Sequence, residues 1–184
     1  NKTEKLLKGI SLVKEITPNI YSKIIVTGEI LSSKLINEIF IEKKLNSRLV
    51  DGYDLIYING DNQNHLIDWK KTGRRVKHHF NQNSFHINVI PGFMCKNENG
   101  NLSTLGRGGS DLSASIMANI LNASSLEIWT DVSGVYTANP KIVSQARPIK
   151  KISYQEAMEL SHFGAKVIYP PTIQPLIDKK IELK

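Results

Sequence analysis

The residues Thr104-Leu105-Gly106-Arg107-Gly108-Gly109-Ser110-Asp111 place three glycines, one arginine and an acidic side chain directly ahead of the apolar helical stretch Leu112–Leu121. Glycine reaches backbone conformations closed to other residues, so such a peptide can turn its N–H groups toward one point. A helix start adds unpaired donors and the positive end of its dipole. The segment therefore reads as an anion site. Arg107 supplies a planar fork of donors matched to a carboxylate or phosphate, and Ser110 and Asp111 are cap-type residues for the helix. A plain glycine turn with a capping aspartate is the competing reading; the arginine held among the glycines favours ligand binding.

Upstream, Met94-Cys95-Lys96 and Leu102-Ser103-Thr104 flank a polar stretch whose Asn99-Gly100 signals a hairpin. Downstream, Leu126-Glu127-Ile128-Trp129 reads as a strand that ends in the loop Thr130–Pro140. Strand, glycine loop, helix, strand is a βαβ unit, which predicts an α/β protein with a parallel sheet and helices on its faces. Ligands of such sheets bind outside the carboxyl ends of the strands, so the glycine loop and the Thr130–Pro140 loop are expected to converge.

Further out, His86–Ile90 is a buried-strand candidate that Pro91-Gly92-Phe93 turns aside, and Arg48–Val50 and Leu55–Ile58 are short strand candidates bounded by turns. A helix is expected over Lys5–Ile16. Pro18 ends it and opens a second, with the stripe Ile20, Ile24, Ile25, Leu31, Leu35 and Ile39. Gly28 inside that stripe marks either a break or a close approach to the backbone, and Glu29 taken alone reads as a solvated helix glutamate. Ser153-Tyr154-Gln155-Glu156 is a capping box for a helix that Gly164 stops, with Lys166 on the following turn. A short helix is expected over Thr172–Lys179, and a strand begins at Ile181-Glu182-Leu183.

The chain of 184 residues is 40% hydrophobic, enough for one domain with its own core. Its 24 basic and 17 acidic residues leave a charge of +7, suited to an anionic partner; few aromatics and no nucleic-acid motif make a small anionic ligand the economical choice. The basic run Lys70–His79 is expected to be a solvated face, and its two histidines lack ligand-spaced carboxylates or cysteines, so no metal site is expected there. The one cysteine, Cys95, reads as structural and fits a reducing compartment. No signal-peptide pattern or membrane-length apolar run is seen, so a cytoplasmic protein without membrane or nucleic-acid partners is expected. The absence of an initial Met suggests a missing N-terminal segment.

The inventory suits phosphoryl transfer, which needs charge compensation and positioning rather than covalent help. Arg107 and the glycine N–H groups can hold one anion and Lys166 another. Asp111 and Asp131 can orient ammonium groups or metal-bound water, and Tyr136 can cover a base. There is no Walker loop, and Gly106-Arg107-Gly108-Gly109 does not satisfy the dinucleotide fingerprint.

The glycine segment, Trp129-Thr130-Asp131-Val132-Ser133-Gly134-Val135-Tyr136 and Phe163-Gly164-Ala165-Lys166-Val167-Ile168-Tyr169-Pro170 together closely resemble the aspartokinases of the amino acid kinase superfamily. The resemblance runs from about Leu6 to the end and implies a three-layer α/β/α sandwich around a mainly parallel sheet. It implies residues 1–184 as a single domain, the central and C-terminal portion of an aspartokinase catalytic domain, and overall similarity points to one fused to homoserine dehydrogenase. The implied reaction is transfer of the γ-phosphoryl group of ATP, with Mg²⁺, to the β-carboxylate of L-aspartate, by a full-length protein that forms homo-oligomers.

By the same resemblance, Arg107 clamps the substrate carboxylate with Gly109 and Ser110, Glu29 takes the ammonium group, Phe93 packs against the amino acid and Asp111 organises the transfer. Thr130, Asp131, Tyr136 and Asn139 line the nucleotide site, and Lys166 reaches the phosphates. Three departures stand out: the family's Lys-Phe-Gly-Gly-Thr-Ser turn does not occur, Asn139 stands where many relatives carry aspartate, and the regulatory domains that usually follow the kinase domain are absent. The first implies an inactive fragment. The alternative is a catalytically silent module that binds aspartate or nucleotide.

Overall fold

Thr17 and Pro18 set the entry to the longest helix: the Thr17 hydroxyl accepts the Ile20 N–H at 3.3 Å, and proline fills the first helical position, where its missing N–H costs nothing. The computed structural model describes residues 2–60, 65–81, 85–162 and 168–184, which divide into two compact units, Asn1–Ser113 and Ala114–Lys184.

In the first unit, α1 (Lys2–Val13) precedes α2 (Pro18–Glu42). The second helix runs unbroken through Gly28, where an added Cβ would meet nothing within 4 Å, so the glycine is neither a break nor a packing contact within the chain. Further along α2, the buried Asn37 accepts the Ser47 hydroxyl at 2.8 Å and ties the helix to β1 (Ser47–Leu49). After β1 the chain makes a 3₁₀ turn, Gly52–Asp54, whose Asp51 side chain accepts the Tyr53 N–H. Gly52 is required there because a Cβ would sit 2.3 Å from the Pro91 carbonyl oxygen.

The strand expected at Leu55–Ile58 starts later. β2 (Ile58–Gly60) pairs antiparallel with β3 (His65–Ile67). The basic run lies on α3 (Trp69–Asn81). Its face is only partly solvated, since Thr72 and Val76 are buried, Arg75 pairs with Asp54, and His79 sits 2.8 Å from the Arg48 guanidinium.

β4 (Ile87–Val89) pairs in parallel with β1, Arg48 lying opposite Asn88. β5 (Met94–Lys96) and β6 (Leu102–Thr104) form the expected hairpin, with Gly100 at φ +75° in its turn. Val26, Val50, Ile56, Val76, Met94 and Leu105 are buried in this unit.

α4 (Gly109–Leu121) follows the hairpin and carries the chain into the second unit. There Ala118, Leu176 and Ile181 form a buried cluster backed by Leu126 and Tyr154. The Asn119 amide donates to the Pro175 carbonyl at 2.6 Å. β7 (Ser125–Leu126) pairs in parallel with β8 (Glu182–Leu183), and Ile128 adds one further bond to the Lys184 carbonyl at 2.8 Å.

The βαβ reading needs correction: β6 pairs with β5 and β7 with β8, so the strands flanking α4 are not partners among the described residues. The tight turn at Asn99-Gly100 commits β6 to its neighbour in sequence. Parallel pairing appears at β1/β4 and β7/β8 instead. α5 (Tyr154–His162) begins at the expected capping box: the Ser153 N–H donates to the Glu156 carboxylate at 2.7 Å, and the Glu156 N–H returns to the Ser153 hydroxyl at 3.2 Å. The expected last helix splits into a 3₁₀ turn, Pro170–Thr172, and the short α6 (Gln174–Ile177), because Pro175 has no N–H to continue the ladder.

Candidate active site

Gly106 and Gly108 take φ of +69° and +66°, the left-handed region that glycine enters at no cost, and so hold Arg107 between two turns of the backbone. The helix starts at Gly109, with the Leu112 N–H on the Gly108 carbonyl at 3.0 Å. Ser110 and Asp111 therefore lie inside the first turn. The capping role expected for them is not filled, because the glycine backbone already supplies the turn.

Three further segments meet this helix start. Phe93 adopts φ +49°, and its N–H donates to the Ser113 hydroxyl at 2.9 Å, which in turn donates to the Gly109 carbonyl at 2.8 Å. The Leu105 N–H closes on the Phe93 carbonyl at 2.7 Å. An added Cβ on Gly109 would stand 2.8 Å from the Phe93 Cβ, and one on Gly92 would stand 3.0 Å from the Ser110 Cα, so only glycine lets the Pro91–Phe93 turn lie this close. From α2, one Glu29 carboxylate oxygen accepts the Gly92 N–H at 3.2 Å, which corrects the reading of Glu29 as merely solvated.

Glu29, Phe93, Gly109 and Ser110 are thus brought together, with Arg107 exposed on the adjoining loop and without an ion-pair partner among the described residues. Glu29 is half-buried and has no ion-pair partner among the described residues. Asp111 is half-buried, and desolvation holds its carboxyl above the ordinary aspartate range. Ser113 was not singled out from sequence; its position four residues after Gly109, on the helix face that meets Phe93, was the available signal.

In the second unit, Thr130, Asp131 and Tyr136 follow β7 in the expected order. The Thr130 hydroxyl donates to the Asp131 carboxylate at 3.1 Å, and both residues are exposed. Tyr136 is bridged to Pro148, and the bonds Thr137 N–H to Arg147 carbonyl, 2.9 Å, and Ile149 N–H to Val135 carbonyl, 2.8 Å, fold the loop onto itself. The Asn139 side chain accepts the Lys141 N–H at 3.0 Å, a bond that an aspartate oxygen would make equally well, so asparagine preserves the turn and gives up only the charge. Lys166 and Gly164 lie outside the described residues. A cavity of about 450 Å³, lined by Ile149, Lys151, Ile152, Glu156, Glu159 and Leu160, contains none of the expected site residues.

No group of three or more His, Cys, Asp and Glu side chains capable of holding a metal ion occurs among the described residues. Cys95 is buried, and burial pushes its thiol up to about 12, which excludes it as a nucleophile near neutral pH. No described helix is long and apolar enough to cross a membrane.

The model of the amino acid kinase family matches residues 6–184. The chain belongs to the amino acid kinase family. Among its relatives, the bifunctional aspartokinase/homoserine dehydrogenase of Buchnera aphidicola subsp. Acyrthosiphon pisum is 41% identical over 98% of this chain and 22% of that protein. The chloroplastic bifunctional aspartokinase/homoserine dehydrogenase 1 of Arabidopsis thaliana is 33% identical over 100% of this chain and 20% of its own length. The chain therefore spans roughly a fifth of the length of these two relatives. Among solved structures, Escherichia coli aspartokinase III in complex with aspartate and ADP aligns over 99% of this chain and 42% of that one, with TM-score 0.87 and 31% identity. The amino acid kinase chain thus has the α/β fold that its glycine loop and flanking motifs led one to expect.

Proposed function

We propose that this amino acid kinase chain carries the acceptor side and part of the nucleotide side of an aspartate kinase, which transfers the γ-phosphoryl group of ATP to the β-carboxylate of L-aspartate and forms 4-phospho-L-aspartate. The product is the activated acid that opens the route to lysine, threonine and methionine. The observation that carries this reading is the meeting of the Glu29 carboxylate with the Gly92 N–H, beside the helix start that follows the Arg107 loop. A cation acceptor and an anion clamp near one helix start suit an amino acid with its ammonium on Glu29 and its carboxylate on Arg107. Phe93 packs against the methylene between them, and the Gly109 and Ser110 backbone supports the carboxylate. A β-carboxylate oxygen attacks the γ-phosphorus, the bond to the ADP oxygen breaks, and Asp111 at the helix start orients the reacting groups.

Thr130, Asp131, Tyr136 and Asn139 belong to the nucleotide side in this reading, with Lys166 assigned to the phosphates by resemblance. The described residues offer no cage for a divalent cation, so Mg²⁺ belongs with the nucleotide phosphates, whose charge it neutralises. The residues 1–184 form one stretch of a catalytic domain, and because no phosphate-contacting lysine turn occurs in it, the isolated chain binds aspartate without turning it over.

The test is an assay of the full-length gene product with ATP, Mg²⁺ and, separately, aspartate, glutamate, acetylglutamate and uridine monophosphate. Preference for aspartate is expected; preference for another acceptor refutes the assignment, and aspartate binding without turnover replaces it with the silent module. Arg107→Ala should raise the aspartate KM by at least about tenfold, the loss of a charge-assisted contact of about 1.5–3 kcal/mol. An unchanged KM removes Arg107 from the clamp.

A further inference from the structure

Hairpin β5–β6 has its open end at the acceptor patch, since Phe93 directly precedes β5 and Leu105 directly follows β6. Its closed end is anchored elsewhere. The Tyr53 hydroxyl donates to the Gly100 carbonyl in the hairpin turn at 3.1 Å, and the Lys96 N–H donates to the Ile56 carbonyl at 2.8 Å. The Lys96 ammonium pairs with Asp54, whose carboxylate also takes Arg75 of α3 and the Tyr57 hydroxyl, the last at 3.2 Å.

The charges around Asp54 are unbalanced. Lys96 lies 4.6 Å from the Tyr53 ring centroid and 5.7 Å from that of Tyr57, while Lys71 stands 4.0 Å over the Tyr57 ring. Lys71, Arg75 and Lys96 therefore converge on a single carboxylate and two tyrosine faces. Without the Asp54 charge these cations repel one another, and Lys96, whose side chain is only 20% exposed, has no other anion to hold it among the described residues.

We propose that Asp54 and Tyr53 are positioning residues for the acceptor site, holding the hairpin so that Phe93 and Arg107 keep the spacing that binds the acceptor acid. The inference rests on the aspartate kinase reading. Its mechanical basis is the shortness of the ladder: each strand has three residues, about 10 Å at ~3.3 Å per residue, so a tilt of about 10° moves one end roughly 2 Å relative to the other. Displacements of about 1 Å at a reacting centre can cost on the order of a hundredfold in rate.

Steady-state kinetics on the full-length protein test the proposal. Asp54→Asn should raise the aspartate KM about tenfold or more while the ATP KM stays within about twofold of wild type. Asp54→Glu should recover most of the loss, and Tyr53→Phe, which removes one surface hydroxyl, should shift the aspartate KM in the same direction by less. If Asp54→Asn does not fold, Tyr53→Phe carries the test. Variants whose two KM values match wild type, or change together, overturn the proposal alone. A wild-type protein that leaves aspartate unphosphorylated overturns the functional reading, and this inference with it.

Discussion

Alanine at Gly109 would bring a Cβ to 2.8 Å from the Phe93 Cβ and 3.0 Å from the Leu105 Cβ, where carbon atoms normally settle at roughly 3.5–4.0 Å. Both neighbours are first side-chain carbons, so relief requires backbone movement of Phe93 or Leu105, and these two residues are locked together by the 2.7 Å bond between them. Overpacking of this kind costs about 1–3 kcal/mol, against a helix-propensity gain of at most about 1 kcal/mol. The net loss is up to about 3 kcal/mol, or a fall in Tm of up to roughly 12 °C for a chain of this length. Gly28→Ala is the matched control. It sits mid-helix with nothing within 4 Å of the new carbon, so it should gain roughly 0.5–1 kcal/mol and raise Tm by a few degrees. Thermal unfolding followed by circular dichroism reads both. A Gly109→Ala protein that melts above wild type, as the Gly28→Ala control should, would refute the steric reasoning. The two variants should also differ in kinetics: Gly109→Ala intrudes on the proposed aspartate site and should raise its KM, whereas the new carbon at Gly28 meets no neighbour.

The remaining predictions concern titration and reactivity. The raised pKa of Asp111 means that its stabilising contribution is complete below the unfolded value of about 3.9 and is lost as pH rises through the folded value, so Asp111→Asn should melt higher than wild type at neutral pH while phosphoryl transfer falls sharply. Glu156 shows the opposite sign: the Ser153 N–H and hydroxyl lower its pKa, so its contribution is present above the unfolded value of about 4.3 and disappears as pH falls through the folded one. Glu156→Gln should flatten that acidic limb of a Tm–pH curve. Cys95, buried and with its thiol near 12, should resist a thiol reagent at pH 8 in the native protein and react fully in denaturant; rapid native labelling would contradict its burial.

Features governed by neighbours in sequence were legible before any coordinates. Pro18 opens α2, Asn99-Gly100 turns a hairpin, and Ser153 and Glu156 exchange the bonds of a capping box. Arg107 among its glycines was legible for the same reason, because backbone freedom and donor chemistry are local properties. Features decided by distant contacts were not legible. Glu29 reads as one more helix glutamate until Gly92, far along the chain, is seen to donate to it, and only the family resemblance had singled it out. Periodicity cannot report that Gly109 and Gly92 are glycines for want of space, nor that Ser113 holds Phe93. The strand pairing failed likewise: β6 and β7 flank one helix, but their partners are chosen by the hairpin turn and by β8.

The bond from Ser47 to Asn37 makes α2 a length standard. Asn37 fixes the helix at one end of an eight-residue interval, and Glu29, at the other, must arrive facing Gly92. Each residue added or removed within that interval would rotate Glu29 by roughly 100° and shift it by about 1.5 Å relative to the anchor. Insertions that loops absorb without effect would, between positions 29 and 37, turn the carboxylate away from its amide. Variation in chain length among functional relatives should therefore avoid this interval and collect in the turns on either side of the helix.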